Sequence, residues 1–538
     1  MTLDQSSASS SPVRIRLEPL SVELELPRGG SLVPGLAAHG FEFPCGGMGE
    51  CSGCQVRVLS GSLPVTEADT ATLTPDQLAK GWRLACQASA PELPNAPLVL
   101  ECGQWHMQIL TDDKSGDQIP TAGDPPKICA PSIPAVSSRE WVGDRPASSS
   151  NSHAIAIDLG TTTIAAQLID AASGDVLGVE TMLNPQAAFG SDVMSRIRAA
   201  LDGQDLTTPI RVALGQLVTR LAARLDLARA PQITEVLLVG NTVMHHLFCS
   251  LNVEPLSHVP FQSLHLAEQR FTPRELGWEL PDDCIIRFAR CIGGFVGSDI
   301  LAGIVAAGIG NGLDLTALVD LGTNGEIAIG NRHGIVCAST AAGPAFEAGA
   351  IRMGMRAVTG AIAYVVLSEG SLRPTVIGDV APRGICGSGL VDAVAAGLRS
   401  GSILSNGRIA DGSKIFPIAP PVVLYQSDIR ELQLAKGAIA AGFRLLLKRL
   451  DVQVRSLHAI RLAGAFGNYV QIESALRIGL LEAPHALIHA AGNTALRGAK
   501  MLLLAEEPPL PPIEHVSLAA DPAFHDEFAN CMTFPELV

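Results

Sequence analysis

Four cysteines near the start of the chain are spaced so that they could hold an iron–sulfur cluster. Cys45, Cys51 and Cys54 form a C-x5-C-x2-C pattern, and Cys86 lies further along the chain. Four thiolates are the ligands that a [2Fe–2S] cluster needs, and the glycines between the first three cysteines let backbone N–H groups approach its sulfides. The pattern predicts that this part of the protein carries single electrons.

A structural zinc ion is the main alternative for these thiols, because Cys51 and Cys54 alone would suit a tetrahedral zinc site. The position of Cys45 upstream, the glycines around it and the β-strand pattern before it favour iron and sulfide. Residues 43–61 resemble ferredoxins of the plant and vertebrate type.

Two turns between short apolar strands could bind the phosphates of a nucleotide. Each begins with an aspartate, Asp158 or Asp320, at the end of a buried strand, continues as Leu-Gly-Thr and leads into another strand. Such turns expose N–H and hydroxyl donors, and two facing carboxylates can hold a water-coordinated Mg²⁺ against the β- and γ-phosphates. For either turn alone, an ordinary tight turn is the alternative.

A third turn strengthens the nucleotide interpretation. Residues 464–467 read Gly-Ala-Phe-Gly between a predicted strand and a predicted helix, so their backbone could pass close to an adenosine. The three turns resemble the phosphate-1, phosphate-2 and adenosine motifs of the superfamily that contains acetate and sugar kinases, Hsp70 and actin. This resemblance implies two lobes of ribonuclease-H type with the nucleotide in the cleft between them.

The same resemblance assigns roles to individual residues, with Asp158 and Asp320 as the catalytic pair. Phosphates and metal would be contacted by Asp158, Gly160, Thr161 and Thr162 in the first lobe, and by Asp320, Gly322, Thr323 and Asn324 in the second. The adenosine would be flanked by Gly464, Ala465, Phe466 and Gly467.

Three further glycine-rich segments, at 293–299, 343–347 and 386–389, could also line the cleft. Close helix packing explains their glycines equally well, so the sequence leaves both interpretations open. His245 and His246 could suggest a metal site, but adjacent side chains point apart on a helix, which favours a structural role.

The elements that must position the cysteines form a small domain of their own. Apolar and charged residues alternate at 13–26, a short helix is predicted near 31–39, and further strands are predicted at 55–61 and 98–102. This pattern predicts an N-terminal β-grasp, ferredoxin-like α+β domain over residues 13–104.

The rest of the chain divides into a linker and a larger α/β region. Residues 105–152 are rich in Pro, Ser, Asp and Gly and predict a linker. Beyond them, strands alternate with amphipathic helices, and the strand–turn–strand pattern occurs twice. We therefore expect a two-lobed α/β ATPase of ribonuclease-H-like type, with lobe 1 at 153–310 and lobe 2, including a C-terminal tail, at 311–538.

Composition excludes several other functions. The chain has 538 residues and a formal net charge of −15, which argues against nucleic acid as a partner because no basic stripe could neutralise phosphates. Residues 6–12 are polar where a secretory signal would be apolar, and no stretch reads as a membrane span. The expected location is the cytoplasm, without a membrane partner.

The whole arrangement resembles the reductive activators of corrinoid proteins, in which an N-terminal [2Fe–2S] domain precedes an ATPase of this superfamily. The match includes 158–163, 320–326, the helix from Asp428, 463–468 and 532–536. The resemblance implies ATP-dependent return of one electron to a corrinoid protein whose Co(I) has been oxidised to Co(II), in the service of a methyltransferase system. It implies a [2Fe–2S] cluster, ATP and Mg²⁺ as cofactors, and a reductase or ferredoxin as electron donor.

Family members carry a further middle domain between the cluster domain and the ATPase. Here only residues 105–152 stand between those two regions as we divide the chain. We therefore expect the middle domain to be missing. The sequence leaves open whether the protein forms a homodimer.

Other functions fit part of the pattern. The cluster could gate a small-molecule kinase, although no kinase-specific base stands out. A chaperone-like or actin-like assembly protein would leave the cluster without a role. An ATP-dependent activator of another low-potential enzyme is nearer, but such activators share a [4Fe–4S] cluster between subunits, whereas this chain carries four ligands of its own.

Overall fold

The structure is a computed structural model with two compact units. It describes residues 12–18, 22–38, 54–91, 97–102, 152–190, 192–225, 232–322, 324–467, 470–505 and 507–536. The first unit contains the strands and helices between Val13 and Cys102, and the second contains two large sheets that begin at Ser152. The predicted linker, apart from Ser152, lies outside the described residues, as do Cys45 and Cys51.

The first unit is a five-stranded mixed sheet with three short helices. Its elements are β1 (Val13–Glu18), β2 (Val22–Leu26), α1 (Val33–Ala38), β3 (Gln55–Ser60), α2 (Glu67–Thr72), α3 (Pro75–Ala79), β4 (Trp82–Leu84) and β5 (Leu98–Cys102). The strand order is β2-β1-β5-β3-β4, with β1 parallel to β5. Val13, Ile15 and Leu17 are buried on one face of β1, as the alternation predicts. The predicted ferredoxin-like α+β domain is confirmed.

The second unit begins with a six-stranded sheet and its helices. These are β6 (Ser152–Leu159), β7 (Thr163–Asp170), β8 (Val176–Leu183), α4 (Val193–Leu201), α5 (Thr207–Ala222), β9 (Gln232–Val239), α6 (Thr242–Cys249), β10 (Gln269–Phe271), α7 (Pro273–Leu276), β11 (Ile285–Phe288) and α8 (Ser298–Ala306). The strand order is β10-β11-β9-β6-β7-β8.

A second six-stranded sheet and two small sheets follow. Their elements are β12 (Thr316–Leu321), β13 (Gly325–Asn331), β14 (Gly334–Thr340), β15 (Ala361–Ser368), β16 (Ser371–Val376), β17 (Gly384–Ile385), α9 (Gly387–Arg399), β18 (Ile415–Ala419), β19 (Val422–Tyr425), α10 (Gln426–Arg449), β20 (Ala459–Ala463), α11 (Gly464–Gly467), α12 (Ile472–Arg477), β21 (Ile488–Gly492), α13 (Thr494–Leu504), β22 (Ile513–His515) and α14 (Pro522–Cys531). The large sheet has the order β21-β20-β12-β13-β14-β22, and the small sheets are β16-β15-β17 and β18-β19.

The two large sheets share one topology. Three strands form an antiparallel meander, β6-β7-β8 or β12-β13-β14, and a later strand, β9 or β20, joins the first of them in parallel. Asp158 lies beside Val239 and Asp320 beside Ala463, which are equivalent positions in the two sheets. The predicted pair of ribonuclease-H-type lobes is confirmed.

Between β21 and β22 of the second large sheet, helix α13 carries the chain back to the first large sheet. Its Leu496 and Ala499 belong to the same buried cluster as Ala154 of β6. A Cβ at Gly498 would lie 1.9 Å from the carbonyl oxygen of Ala302 in α8, so only glycine permits this approach of the two helices. The start of α13 is thereby placed at the first sheet.

Helix α10 spans 24 residues and holds the C-terminal segment. Lys436 donates to the carbonyl of Thr533 at 2.6 Å, and Gln433 donates to that of Met532 at 3.0 Å. No helix in the described part of the chain, α10 included, is long and apolar enough to cross a membrane.

Candidate functional site

The first phosphate-binding turn lies between β6 and β7. A Cβ at Gly160 would lie 2.4 Å from the carbonyl oxygen of Thr163, so the tip of the turn requires glycine. The amide of Asn184 donates to the Gly160 carbonyl at 2.9 Å, and that of Asn241 donates to the Thr161 hydroxyl at 2.9 Å. Two other elements therefore hold this turn in place.

Arg196 of α4 lies beneath the same turn and is fully buried. Its Nη2 donates to the Thr161 carbonyl at 2.5 Å. Burial lowers the pKa of Arg196 to about 9, while the charges of Asp192 and Glu347 act in the opposite direction. A buried guanidinium at this place adds positive potential under a turn that is expected to bind phosphate.

The second turn joins β12 to β13 and contacts the third. The N–H of Gly322 donates to the Asn324 carbonyl at 3.2 Å and closes the turn, while Thr323 lies outside the described residues. Gly464 has a φ of 85°, and a Cβ there would lie 2.6 Å from Oδ1 of Asp320. The predicted adenosine turn therefore begins in contact with the second aspartate.

The predicted adenosine turn is helix α11, which follows β20 directly. Gly467 is buried, and a Cβ there would lie 3.2 Å from the carbonyl carbon of Leu462. The side chains of Ala465 and Phe466 lie outside the described part of the structure. Their contact with an adenosine stays a prediction.

Four carboxyl groups meet where the two turns approach each other. Burial raises the pKa of Asp158 to about 6, and burial with repulsion from Asp158 raises the pKa of Asp320 to about 7. Burial is the main cause that raises the pKa of Asp299 to about 8, and repulsion from Asp158 and Asp320 adds to it. Burial also raises the pKa of Glu326 well above its ordinary range, with added repulsion from Asp299 and Asp320. This concentration of negative charge favours binding of a cation.

Asp299 reaches the cluster because α8 begins against the end of β9. A Cβ at Gly297 would lie 2.2 Å from the Gly240 carbonyl oxygen. The Ser298 N–H donates to that carbonyl at 2.9 Å, and the Gly240 N–H donates to the Ser298 hydroxyl at 3.1 Å. The glycine-rich segment 293–299 thus packs closely at Gly297 and also places a carboxylate in the site, so the structure fits both interpretations that the sequence left open.

Glu326 joins the cluster through strand pairing. It lies directly opposite Asp320 in the antiparallel pair of β12 and β13, so the two acidic side chains share one face. Ser339 donates to Glu326 at 3.3 Å. Acidic side chains opposite each other destabilise a sheet unless something compensates their charge.

Asn493 connects the first aspartate to α13. Its Nδ2 donates to Oδ2 of Asp158 at 2.9 Å, while its Oδ1 accepts the N–H of Leu496 at 2.8 Å and caps the helix. The amide lowers the pKa of Asp158, against the effect of burial. Asn493 therefore orients one oxygen of the carboxylate.

The carboxyl groups fit a hydrated magnesium ion. Among the described residues, no three His, Cys, Asp or Glu side chains are arranged to bind one metal directly. Mg²⁺ usually keeps several waters and takes one or two carboxylates plus substrate phosphates. Asp158 and Asp320, at equivalent strand ends, would hold such an ion through its waters, where it would neutralise phosphate charge.

Two of the four predicted cluster ligands lie in the described residues. Cys54 is buried just before β3, and Cys86 is partly exposed in the short turn after β4. The Ala85 N–H donates to the Cys54 carbonyl at 2.9 Å, which brings the two cysteines' segments together. Gln87 donates to the Cys86 sulfur at 3.7 Å, and ligation of a cluster by the four cysteines stays a prediction.

His245 and His246 are fully buried in α6. The ring of His246 lies 2.7 Å from the Thr242 carbonyl and 2.7 Å from the Ser263 hydroxyl. Both ring nitrogens are therefore engaged within the fold. For His246, this arrangement fits the structural role that the sequence favours.

Several site residues had no role assigned from the sequence: Asp299, Glu326, Glu347, Arg196 and Asn493. The glycines of 293–299 and 343–347 gave a signal for Asp299 and Glu347. Glu326 ends the motif at 320–326, whereas the sequence carries no comparable pattern for Arg196 and Asn493.

The fold and site define a class: a two-lobed ATPase carried on one chain with an iron–sulfur electron-transfer domain. Residues 15–91 match the model of the 2Fe-2S iron-sulfur cluster binding domain. Residues 153–311 match the RACo middle region, and residues 314–537 match the C-terminal domain of RACo, the ASKHA domain. The chain belongs to the RACo family.

Relatives agree with this assignment. The corrinoid activation enzyme RamQ of Eubacterium limosum is 35% identical over 415 residues, which are 70% of this chain and 69% of RamQ. The [Co(II) methylated amine-specific corrinoid protein] reductase of Methanosarcina barkeri is 27% identical over 65% of this chain and 70% of its own. A solved reductive activator for corrinoid,iron-sulfur protein superposes with a TM-score of 0.63 at 26% identity, covering 97% of this chain and 98% of its own.

One expectation from the sequence is wrong. The family's middle domain is not missing, because residues 153–311 match the RACo middle region. That region carries β6 to α8, which we had assigned to the first ATPase lobe. Asp158 and Asp299 therefore lie in the middle region of the family.

Proposed function

We propose that this protein uses ATP to drive one electron into a corrinoid protein, reducing its cobalt from Co(II) to Co(I) and returning it to a methyltransferase system. One observation carries the proposal. The same chain contains the ferredoxin-like domain of Cys54 and Cys86 and an ATPase cleft that contains Asp158 and Asp320. The names of the two curated relatives, both concerned with corrinoid proteins, support this choice of acceptor.

The cleft residues divide the work on ATP. Asp158 and Asp320 would hold the waters of Mg²⁺, with Asn493 fixing the orientation of Asp158. The turn hydroxyls and N–H groups, with Arg196 beneath them, would bind the phosphates. Closure of two lobes on ATP is the motion that such a cleft allows.

Energetics explains why an electron-transfer protein needs ATP. Each ~59 mV uphill costs about 1.4 kcal/mol for one electron, and ferredoxin clusters of this type lie near about −400 mV. A [2Fe–2S] cluster held by Cys45, Cys51, Cys54 and Cys86 would supply one electron per reduction. ATP binding or hydrolysis would make the acceptor easier to reduce.

The remaining parts of the proposal concern partners and location. A reductase or a small ferredoxin would donate the electron, and the protein would act in the cytoplasm. A homodimer is the assembly to test by sedimentation.

Reduction of a cognate Co(II) corrinoid protein tests the proposal. Full-length protein with its cluster, a low-potential reductant, Mg²⁺ and ATP should produce Co(I) absorbance that is absent without ATP. Asp158→Asn and Asp320→Asn should abolish this ATP dependence and ATPase activity without changing the visible spectrum of the cluster. Asp282→Asn, at an exposed position, is the matched control. Absence of ATP-dependent Co(I) with the unaltered protein would contradict the proposal.

A further inference from the structure

We propose that Glu347 senses the terminal phosphate of ATP by competing with it for the Thr162 hydroxyl. Thr162 belongs to the phosphate-binding turn of the first lobe, and Glu347 follows β14 of the second. Thr162 Oγ1 donates to Oε2 of Glu347 at 3.4 Å, so the contact crosses the cleft. The inference rests on the proposed function, since it requires ATP to bind in this cleft.

The chemistry of the contact makes it responsive to nucleotide. A threonine hydroxyl has one proton to donate, and both a carboxylate and a phosphate accept such a proton. Thr162 and Glu347 are both partly buried, and two anions at one donor repel each other. A terminal phosphate at Thr162 must therefore displace Glu347, whereas ADP, which lacks that phosphate, leaves the contact in place.

The segment that carries Glu347 is anchored on one side and strained on the other. Phe346 is buried in the core of the second lobe. Ala348 and Ala350 both have a φ of 60°, a left-handed conformation that is costly for residues other than glycine. Such strain persists only where surrounding contacts maintain it, and it is frequent at ligand clamps and switches.

The strained segment continues to Arg352, which contacts the start of α10. The N–H of Arg352 donates to Asp428 at 3.2 Å, and its guanidinium lies 4.6 Å from the ring centre of Tyr425. Asp428 also accepts the N–H of Tyr425 at 2.8 Å. Displacement of Glu347 is therefore transmitted over five residues to the first turn of a 24-residue helix.

Nucleotide affinities test the inference. Calorimetric titration of the full-length holoprotein would compare Mg²⁺-ADP with the Mg²⁺ complex of the β,γ-imido analogue of ATP. Glu347→Gln keeps an acceptor for Thr162 and removes the charge. It should bind the ATP analogue about tenfold more tightly, equivalent to about 1.4 kcal/mol, with unchanged affinity for ADP. Glu347→Ala should likewise bind the ATP analogue more tightly and ADP equally well. Glu279→Gln, at an exposed position, should bind both nucleotides as the unaltered protein does.

Hydrogen exchange gives a second readout that does not depend on a variant. In the unaltered protein, the amides of 343–352 should exchange faster with the ATP analogue than with ADP. The sensor role would be overturned if Glu347→Gln changed the affinity for both nucleotides equally or bound the ATP analogue more weakly. Unchanged hydrogen exchange in the unaltered protein would also overturn it. If the unaltered protein bound neither nucleotide, the proposed function itself would fail.

Discussion

The side-chain amide of Asn493 lies 2.9 Å from the carboxylate of Asp158, although 335 positions separate them in the chain. The contact exists because α13 returns from the second sheet to the first and starts at Asn493. One residue thus caps a helix that joins the lobes and orients a carboxylate of the ATP site.

Asn493→Ser should separate these two roles. Serine can still cap α13, but it is too short to reach Asp158, whereas Asn493→Ala loses both contacts. We expect both variants to need about tenfold more Mg²⁺ for half-maximal ATPase activity, because about 1.4 kcal/mol is a tenfold effect on binding. Only the alanine variant should also lose the helix cap, worth about 1 kcal/mol, seen as a lower melting temperature. An unchanged Mg²⁺ requirement in both would exclude the orienting role.

Gly464→Ala should damage the ATP site through Asp320. A left-handed backbone costs alanine about 1–2 kcal/mol, and the new Cβ would also lie 2.6 Å from Asp320 Oδ1. We expect loss of ATP binding by calorimetry. Gly412→Ala is the control, since Gly412 has a φ of 76° with nothing within 4 Å of an added Cβ. Equal ATP affinity in the two variants would contradict a role for the contact with Asp320.

Without nucleotide and Mg²⁺, the carboxyl groups of the ATP site should contribute less to the stability of the ATPase as the pH rises. Burial and mutual repulsion raise the folded-state pKa values of Asp158, Asp320 and Asp299 to about 6, 7 and 8, whereas an unfolded aspartate has a pKa of about 3.9. Between these values the folded state keeps protons that the unfolded state has released, so the free energy of unfolding falls.

Calorimetry from about pH 5 to about pH 8 measures this effect. Relative to the Asp320→Asn variant, the melting temperature of the unaltered protein should decrease across the range, and Mg²⁺ should reduce this decrease because it compensates the carboxylates. Asp320→Asn should flatten the profile, while the exposed Asp282→Asn should not. A pH profile that Asp320→Asn leaves unchanged would contradict the raised pKa values of these groups, because histidines with a lowered pKa, such as His245, act in the opposite direction but are common to both proteins.

Cys54→Ser should remove the cluster and leave ATP hydrolysis intact. A serine hydroxyl is a poor replacement for a thiolate ligand of iron, so the visible absorbance of the purified protein should be lost. The ATPase carboxylates lie in the other compact unit and should be unaffected. Cys284→Ser, a buried cysteine of that second unit, should keep both properties. Retention of the cluster spectrum by Cys54→Ser would contradict the ligand assignment.

The sequence was most informative where chemistry depends on short spacing. The cysteine pattern predicted the [2Fe–2S] domain, and the alternation of Val13, Ile15 and Leu17 predicted a half-buried strand. The two aspartate turns predicted duplicated lobes. Apart from Cys86, which lies further along the chain, the residues of each pattern are a few positions apart, so local geometry determines how they are arranged.

Residues brought together by packing could not be found in this way. Asp299 joins the site because Gly297 lets α8 approach Gly240, and Glu347 joins it from the other lobe. Neither approach leaves a fixed spacing in the chain.

The sequence by itself therefore determined the cofactor chemistry and the two aspartates. Only the tertiary structure decided which distant groups surround those aspartates: Asp299, the Asn493 amide and the Glu347 contact with Thr162. The physical reason is that a turn is closed by its own hydrogen bonds, whereas a cleft forms where separate lobes and the returning helix α13 pack against each other.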